Sequence, residues 1–299
     1  MKKIIFTACL SICLTSTSWA DSGLGSLADQ LNAITKTAFA ETSKQMAIKV
    51  NLAGKQRMLT QKMTKESLLI ALNIEAQKNK KNLEATAKLF EKTLKGLQVG
   101  NKSLGLTKTV NKDILKQFKK VTTLWDDFKP NVESIYRDGV SVVILQNIAR
   151  QNLPLLAEMN KVVGLYEKSS GADLNELATV INLSGKQRML TQKMTKELLL
   201  IAEGIDETKN RENLNNSIKL FEKTLKGLVN SDAELGLPKT KDKKILAQLA
   251  EVKSLWGKFK PVMEKADTGM ESLKKAAELN LPLLSAMNKA VKMYEVQSK

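Results

Sequence analysis

One sixteen-residue segment occurs twice in this chain, and that duplication limits the possible fold more than any other feature. Asn51 to Glu66 reads NLAGKQRMLTQKMTKE and Asn182 to Glu197 reads NLSGKQRMLTQKMTKE, so fifteen of sixteen positions agree at an offset of 131. The same offset aligns Phe90–Leu97 with Phe221–Leu228, Leu124-Trp125 with Leu255-Trp256, and Phe128-Lys129-Pro130 with Phe259-Lys260-Pro261. Asn152–Leu156 then matches Asn280–Leu284 at an offset of 128, so the second copy is three residues shorter between Pro261 and Asn280. A gap there marks a turn, and Asp138-Gly139 and Asp267-Thr268-Gly269 supply turn residues in that stretch.

Each copy reads as four helices. Leucine, lysine, alanine, glutamate and methionine dominate, all strong helix formers, and no convincing alternating strand pattern is present. In the first copy the helices are expected over about 42–77, 79–97, 111–137 and 141–168, with a polar, glycine-containing loop at 100–109. Pro154 and Pro282 fall inside the fourth helices, where proline kinks the backbone. Short turns favour antiparallel neighbours. The expected fold class is therefore all-α, as two tandem up-down four-helix bundles over residues 42–168 and 173–297. Residues 21–41 lie outside the repeat, and the spacing of Leu24, Leu27, Leu31 and Ile34 predicts an additional N-terminal helix.

Residues 1–20 read differently. Lys2 and Lys3 precede a mostly apolar run from Ile4 to Leu14, and Ser18-Trp19-Ala20 ends in the small residues a signal peptidase requires. This is the layout of a signal peptide cleaved after Ala20. The run is shorter than the ~20 residues of a spanning helix, which makes an uncleaved membrane anchor the lesser alternative. The expected location is the periplasm.

Both cysteines, Cys9 and Cys13, lie in this leader, and the chain has no histidine. The mature protein then lacks thiolate nucleophiles, disulfides and the usual general base and metal ligands. No enzyme activity, metal or cofactor is expected. The formal charge of +17 includes Lys2 and Lys3. Export and scarce aromatic residues speak against a nucleic-acid partner. What remains is an anionic ligand, peripheral contact with an anionic membrane surface, or simple solubility. Most of the lysines are spread along the chain as on solvated helix faces.

On a helical wheel, Val50, Gly54, Arg57, Met58, Gln61, Lys65, Leu68 and Leu72 form one stripe. Leu52, Gln56, Leu59, Met63 and Ile70 form the opposite one. The helix has two faces to bury. The more apolar face suits its own bundle core. The other mixes apolar residues with Arg57, Gln61 and Lys65, and its glycine permits close approach of another backbone. That combination suits a helix–helix interface holding a small polar ligand. A guanidinium presents paired donors that fit a planar oxyanion such as nitrate. The commoner role for such an arginine is an ion pair with a glutamate on a neighbouring helix. Lys55, Lys62 and Lys65 read as a solvated basic face, and the methionines as core filler. The copies have diverged elsewhere, yet Lys55, Gln56, Arg57, Thr60, Gln61 and Lys62 are unchanged. Core packing alone tolerates exchanges, so polar identity points to a shared ligand or a shared contact surface.

These residues resemble the sensor domain of PilJ-type chemoreceptors and NarX-type nitrate/nitrite sensor kinases. That family has a box of the form Asn-x-Ala-Gly-x-x-Arg-Met in the first helix of a four-helix bundle. Asn51, Ala53, Gly54, Arg57 and Met58 match it, as do Asn182, Gly185, Arg188 and Met189, with Ser184 in place of alanine. Leu59, Gln61, Leu190 and Gln192, and the Leu-Leu-x-x-Met-Asn stretches at Leu155–Asn160 and Leu283–Asn288, look like the PilJ-type version. The resemblance implies ligand sensing, in which box arginines of two subunits hold one nitrate between them. Carried over, that role falls on Arg57 and Arg188, with Gly54, Gly185, Gln61 and Gln192 beside them. Family members carry membrane helices and a cytoplasmic signalling part that this sequence does not show. A soluble binding protein for nitrate or nitrite, reporting to a membrane chemoreceptor or sensor kinase, is the expectation. The alternative is a ligand-free interaction protein whose repeated face binds another helical bundle.

Such a site needs two first helices side by side and parallel, and this chain carries both. Ser169-Ser170-Gly171 permits a helix end and a chain reversal, and Asp173 with Glu176 resembles an N-cap and its partner. The expected arrangement is an intramolecular pseudo-dimer with Arg57 facing Arg188. Its rival is a continuous helix that stacks the bundles end to end.

Overall fold

The computed structural model describes residues 42–172 and 174–298. The expected leader and N-terminal helix lie outside the described residues, as does Asp173. Two sets of four helices follow in order. The first is α1 (Ser43–Ala71), α2 (Ala76–Val99), α3 (Lys112–Arg137) and α4 (Val142–Lys168). The second is α5 (Asn175–Ala202), α6 (Glu207–Asn230), α7 (Lys243–Lys265) and α8 (Met270–Val296). Among the described residues there is no strand beyond two isolated bridges, Asn101 with Leu106 and Asp232 with Leu237, which close the loops after α2 and α6.

Local chemistry explains most helix ends. Thr42 opens α1 with a capping box: its hydroxyl accepts from the Gln45 N–H at 3.2 Å, and the Gln45 side chain accepts from the Thr42 N–H at 3.1 Å. Asn111 and Asp242 occupy corresponding positions and cap α3 and α7. The first helix stops at Ala71 rather than running on to 77 as the composition suggested. Asn73 adopts φ +55 and Glu75 φ +45, and the Ile74 N–H bonds the Leu69 carbonyl at 2.8 Å to close the helix end. The second copy places Gly204 where the first has Asn73, with φ +68. Glycine and asparagine are the residues that accept this left-handed turn.

Within each set, aromatic residues fill the core. Phe90 and Trp125 have ring centroids 4.5 Å apart, and Phe221 and Trp256 4.3 Å apart, with Phe128 and Phe259 beside them. Pro154 and Pro282 lie inside α4 and α8 as expected, and Pro130 and Pro261 lie inside α3 and α7.

Helices α1 and α5 pack on each other more extensively than any other pair. Each also packs on two helices of its own set, α1 on α2 and α4, and α5 on α6 and α8. Both are therefore buried nearly all round despite their many polar residues. Contacts near Asn51 and Asn182 at one end, and near Lys65 and Lys196 at the other, put the two helices parallel and in register. Helix α4 ends at Lys168, Gly171 turns with φ +80, and α5 starts afresh. The continuous helix of the end-to-end rival is thus absent. The start of α5 departs from expectation in one detail: Leu174 stands at the N-cap position and supplies no side-chain cap.

Candidate functional site

Gly54, Arg57, Gly185 and Arg188 converge on the α1–α5 contact. A Cβ placed on Gly54 would lie 3.3 Å from Nη2 of Arg57 and 3.7 Å from Nη2 of Arg188. One placed on Gly185 would lie 3.1 Å from Nη2 of Arg188 and 3.9 Å from that of Arg57. Two guanidinium groups from opposite halves of the chain thus share the volume that the glycines leave open. Both arginines are buried, at 1% and 3% exposure.

Their hydrogen bonds cross the interface. Arg57 donates through Nη1 to Asn160 Oδ1 at 2.8 Å and through Nη2 to the Asn182 carbonyl at 3.0 Å. Arg188 donates through Nη1 to Asn288 Oδ1 at 3.3 Å and through Nη2 to the Asn51 carbonyl and Oδ1 at 3.2 and 2.7 Å. The Nε–H groups of both arginines are buried without a partner. The ion pair with a glutamate that such an arginine commonly makes is not formed, and neither arginine lies within 4.0 Å of a carboxylate among the described residues. Glu167 and Glu295 instead accept from the Asn182 and Asn51 amides. Neutral acceptors leave each guanidinium charge uncancelled at close range.

Electrostatics follow from that arrangement. Burial lowers Arg57 to about 10, with Glu167 opposing the shift. Burial, and then the charge of Arg57, lowers Arg188 to about 9, with Glu295 opposing. Both remain cations at neutral pH. Lys55 and Lys186, half-buried at the rim, are pulled down by burial and then by the facing arginine, Arg188 and Arg57 respectively. A cleft of about 440 Å³ reaches Arg188 from the surface between Lys55, Asn51, Asn288 and Lys292. The cleft is also lined by Glu295, so its wall carries one carboxylate beside Arg188, Lys55 and Lys292.

Gln61 and Gln192 are buried but lie one turn further along. Gln61 Nε2 donates to Thr60 Oγ1 at 3.0 Å, and Gln192 Nε2 to Asn280 Oδ1 at 2.8 Å, with both Oε1 atoms unpartnered. Lys65 is not on a solvated face. It is 3% exposed and crosses to the second copy, where Nζ donates to Asn280 Oδ1 at 3.0 Å, while Lys196 reaches Asn152 Oδ1 at 3.2 Å. Other invariant polar residues hold the single bundles together. Gln56 and Gln187 donate to the Phe90 and Phe221 carbonyls at 2.8 Å. Lys62 and Lys193 pair with Glu66 and Glu197 and donate to Thr86 and Ser217 at 2.6 and 2.9 Å. Part of the repeat's identity is therefore internal packing. Asn160 and Asn288, the acceptors of the arginines, end the repeated Leu-Leu-x-x-Met-Asn stretches. Glu167 and Glu295 follow the repeated Tyr166 and Tyr294, a signal the self-alignment carries but the wheel of the first helix does not.

The family described as PilJ, type IV pili methyl-accepting chemotaxis transducer N-terminal domain, matches residues 39–150 and again 172–281. This chain belongs to the PilJ family. Two curated relatives are similar to it. The methyl-accepting chemotaxis protein McpN of Pseudomonas aeruginosa is 30% identical over 116 residues, which are 39% of this chain and 21% of McpN. The putative methyl-accepting chemotaxis AlkN of Alcanivorax borkumensis is 24% identical over 225 residues, 74% of this chain and 31% of AlkN. The chain thus spans under a third of the length of either. The PilJ family is a sensory one, and chemotaxis and signal transduction are its setting. In this PilJ protein the repeated face does meet another helical bundle, but that bundle is the second copy of the same chain. The face is consequently not free for a separate partner.

Proposed function

We propose that this PilJ protein is a periplasmic sensor that binds one small oxyanion per chain, nitrate or nitrite first, between Arg57 and Arg188. The observation that carries this reading is the pair of buried guanidinium groups meeting across α1 and α5 without a carboxylate between them. A planar anion there accepts from the unpartnered Nε–H edges and cancels the mutual repulsion. The 440 Å³ cleft between Lys55 and Lys292 is its route from solvent. No described helix is long and apolar enough to cross a membrane. The leader layout supports export, and the kinship with chemotaxis receptors supports a membrane chemoreceptor or sensor kinase as the recipient of the signal.

A thermal-shift titration of the chain from Asp21 onward against nitrate, nitrite, sulfate and chloride tests the ligand. A ligand bound only by the folded state stabilises it by about 2.7 kcal/mol at a hundred times its dissociation constant. Nitrate or nitrite should raise the melting temperature with one site per chain, and Arg57→Ala or Arg188→Ala should abolish the rise. No response to any of the four anions would overturn the reading.

A further inference from the structure

The two halves of the arginine site are not equivalent. Asn51 and Asn182 hold the same place on α1 and α5, each three residues before the box glycine. Each gives its amide nitrogen to a glutamate of a fourth helix, Asn51 to Glu295 and Asn182 to Glu167, the latter at 2.6 Å. A carboxylate only accepts hydrogen bonds. Each amide is therefore fixed with its nitrogen toward the glutamate and its oxygen turned away. In the first copy that oxygen is used: Asn51 Oδ1 accepts from Nη2 of Arg188 at 2.7 Å. In the second copy it is not. Nη2 of Arg57 reaches the main-chain carbonyl of Asn182 at 3.0 Å, and Asn182 Oδ1 is buried without a partner among the described residues.

The unmatched groups have a sign and a count. Two donors, the Nε–H of Arg57 and of Arg188, and one acceptor, Asn182 Oδ1, are buried and unpaired. An unpaired buried polar group is costly, so the ligand that fits best supplies a partner to each. Nitrate and nitrite have no hydrogen to give, and set an oxygen lone pair against Asn182 Oδ1. Resting on the reading that the arginine pair holds an oxyanion, we infer that the site selects a planar oxyanion with one hydroxyl, of which bicarbonate is the example closest to nitrate in shape. Its charged oxygens accept from the two arginines, and its hydroxyl donates to Asn182 Oδ1. Asn182 then determines specificity, and Glu167 is a positioning residue that keeps the amide oxygen free for the ligand. A site built to bond a hydroxyl discriminates strongly against an analogue that lacks one.

Isothermal titration of the chain from Asp21 onward with sodium bicarbonate and with sodium nitrate, at pH 8 in buffer purged of carbon dioxide, tests the inference. Bicarbonate should bind about tenfold more tightly than nitrate. Asn182→Leu, which keeps the size of the side chain and removes the acceptor, should erase that preference. Glu167→Gln lets the Asn182 amide turn its nitrogen toward the anion and should move the preference to nitrate. It decides the matter if Asn182→Leu does not fold. The ratio of the two affinities is the readout, because loss of the Glu167 charge strengthens both anions alike. Nitrate bound as tightly as bicarbonate, or an unchanged ratio in folded Asn182→Leu or Glu167→Gln protein, would overturn the inference and leave the arginine site standing. Binding of neither anion would overturn both.

Discussion

Nη2 of Arg57 donates to the main-chain carbonyl of Asn182 at 3.0 Å, so the arginine of the first copy is held by the backbone of the second. Arg188 returns the contact to Asn51. Helix α5 therefore cannot move along α1 without breaking bonds at both guanidinium groups, and an anion between them bears on the relation of the two bundles. Two unit charges ~6 Å apart repel by roughly 3 kcal/mol at an effective dielectric near 20. Arg57→Met removes that repulsion and one buried charge. The ligand-free melting temperature should stay level or rise, as is common when buried charges become apolar, while the response to nitrate disappears. A large fall in melting temperature would show that the arginine is a structural pin.

Gly54→Ala tests the shared space. Alanine favours a helix interior by about 1 kcal/mol over glycine, but its Cβ would lie 3.3 Å from Arg57 Nη2 and 3.7 Å from Arg188 Nη2. The Arg57 guanidinium must give by a few tenths of an ångström, while Arg188 comes into ordinary contact with the new methyl group. Circular dichroism should show unchanged helix content, and calorimetry should show nitrate binding weakened about tenfold or more, equivalent to about 1.4 kcal/mol. Undiminished affinity would place the anion elsewhere.

Gln56→Ala should do the opposite. The side chain is fully buried and ties α1 to the Phe90 carbonyl of α2. Losing it should cost about 1–3 kcal/mol of stability in chemical denaturation, with nitrate affinity retained. The same holds for Gln187→Ala at the Phe221 carbonyl.

Stability should depend on pH through Lys65 and Lys196. Burial lowers both from 10.5 to about 8, opposed by Glu66 and Glu197 and reinforced by Lys62 and Lys193. Between about 8 and 10.5 the unfolded chain keeps these protons and the folded chain has released them. Unfolding then takes up protons, so stability rises with pH across that window. Each lysine contributes on the order of 3 kcal/mol to the rise. Denaturation curves at pH 7.5, 9 and 10 should show it, and Lys65→Met with Lys196→Met should make it shallower, leaving the part that Arg188, lowered to about 9, contributes. A flat curve in the unsubstituted protein would mean that both amines are effectively solvated.

The helix at residues 43–71 shows how far the sequence reaches. Its stripes identify two faces to bury, and the twofold occurrence of Gly54 and Arg57 as Gly185 and Arg188 singles out the four residues that converge across α1 and α5. Composition alone missed its end, because Asn73 acts through a backbone angle that only its alignment with Gly204 reveals. The asparagine acceptors were present as a repeated motif, but a wheel of one helix says nothing of what another helix brings to it.

Sequence by itself determined the all-helical class and the duplication. These depend on local propensity and on periodicity, which act within a few residues. Tertiary structure decided that Lys65 and Lys196 are buried rather than solvated, that Gln56 and Lys62 serve the single bundle, and that Arg57 has neutral partners instead of a glutamate. A polar side chain on a helix face reads the same whether water or another helix covers it. Burial and partnership are set by which face of α1 the distant α5 occupies, and the turn at Gly171 settles that by bringing the second copy back alongside the first.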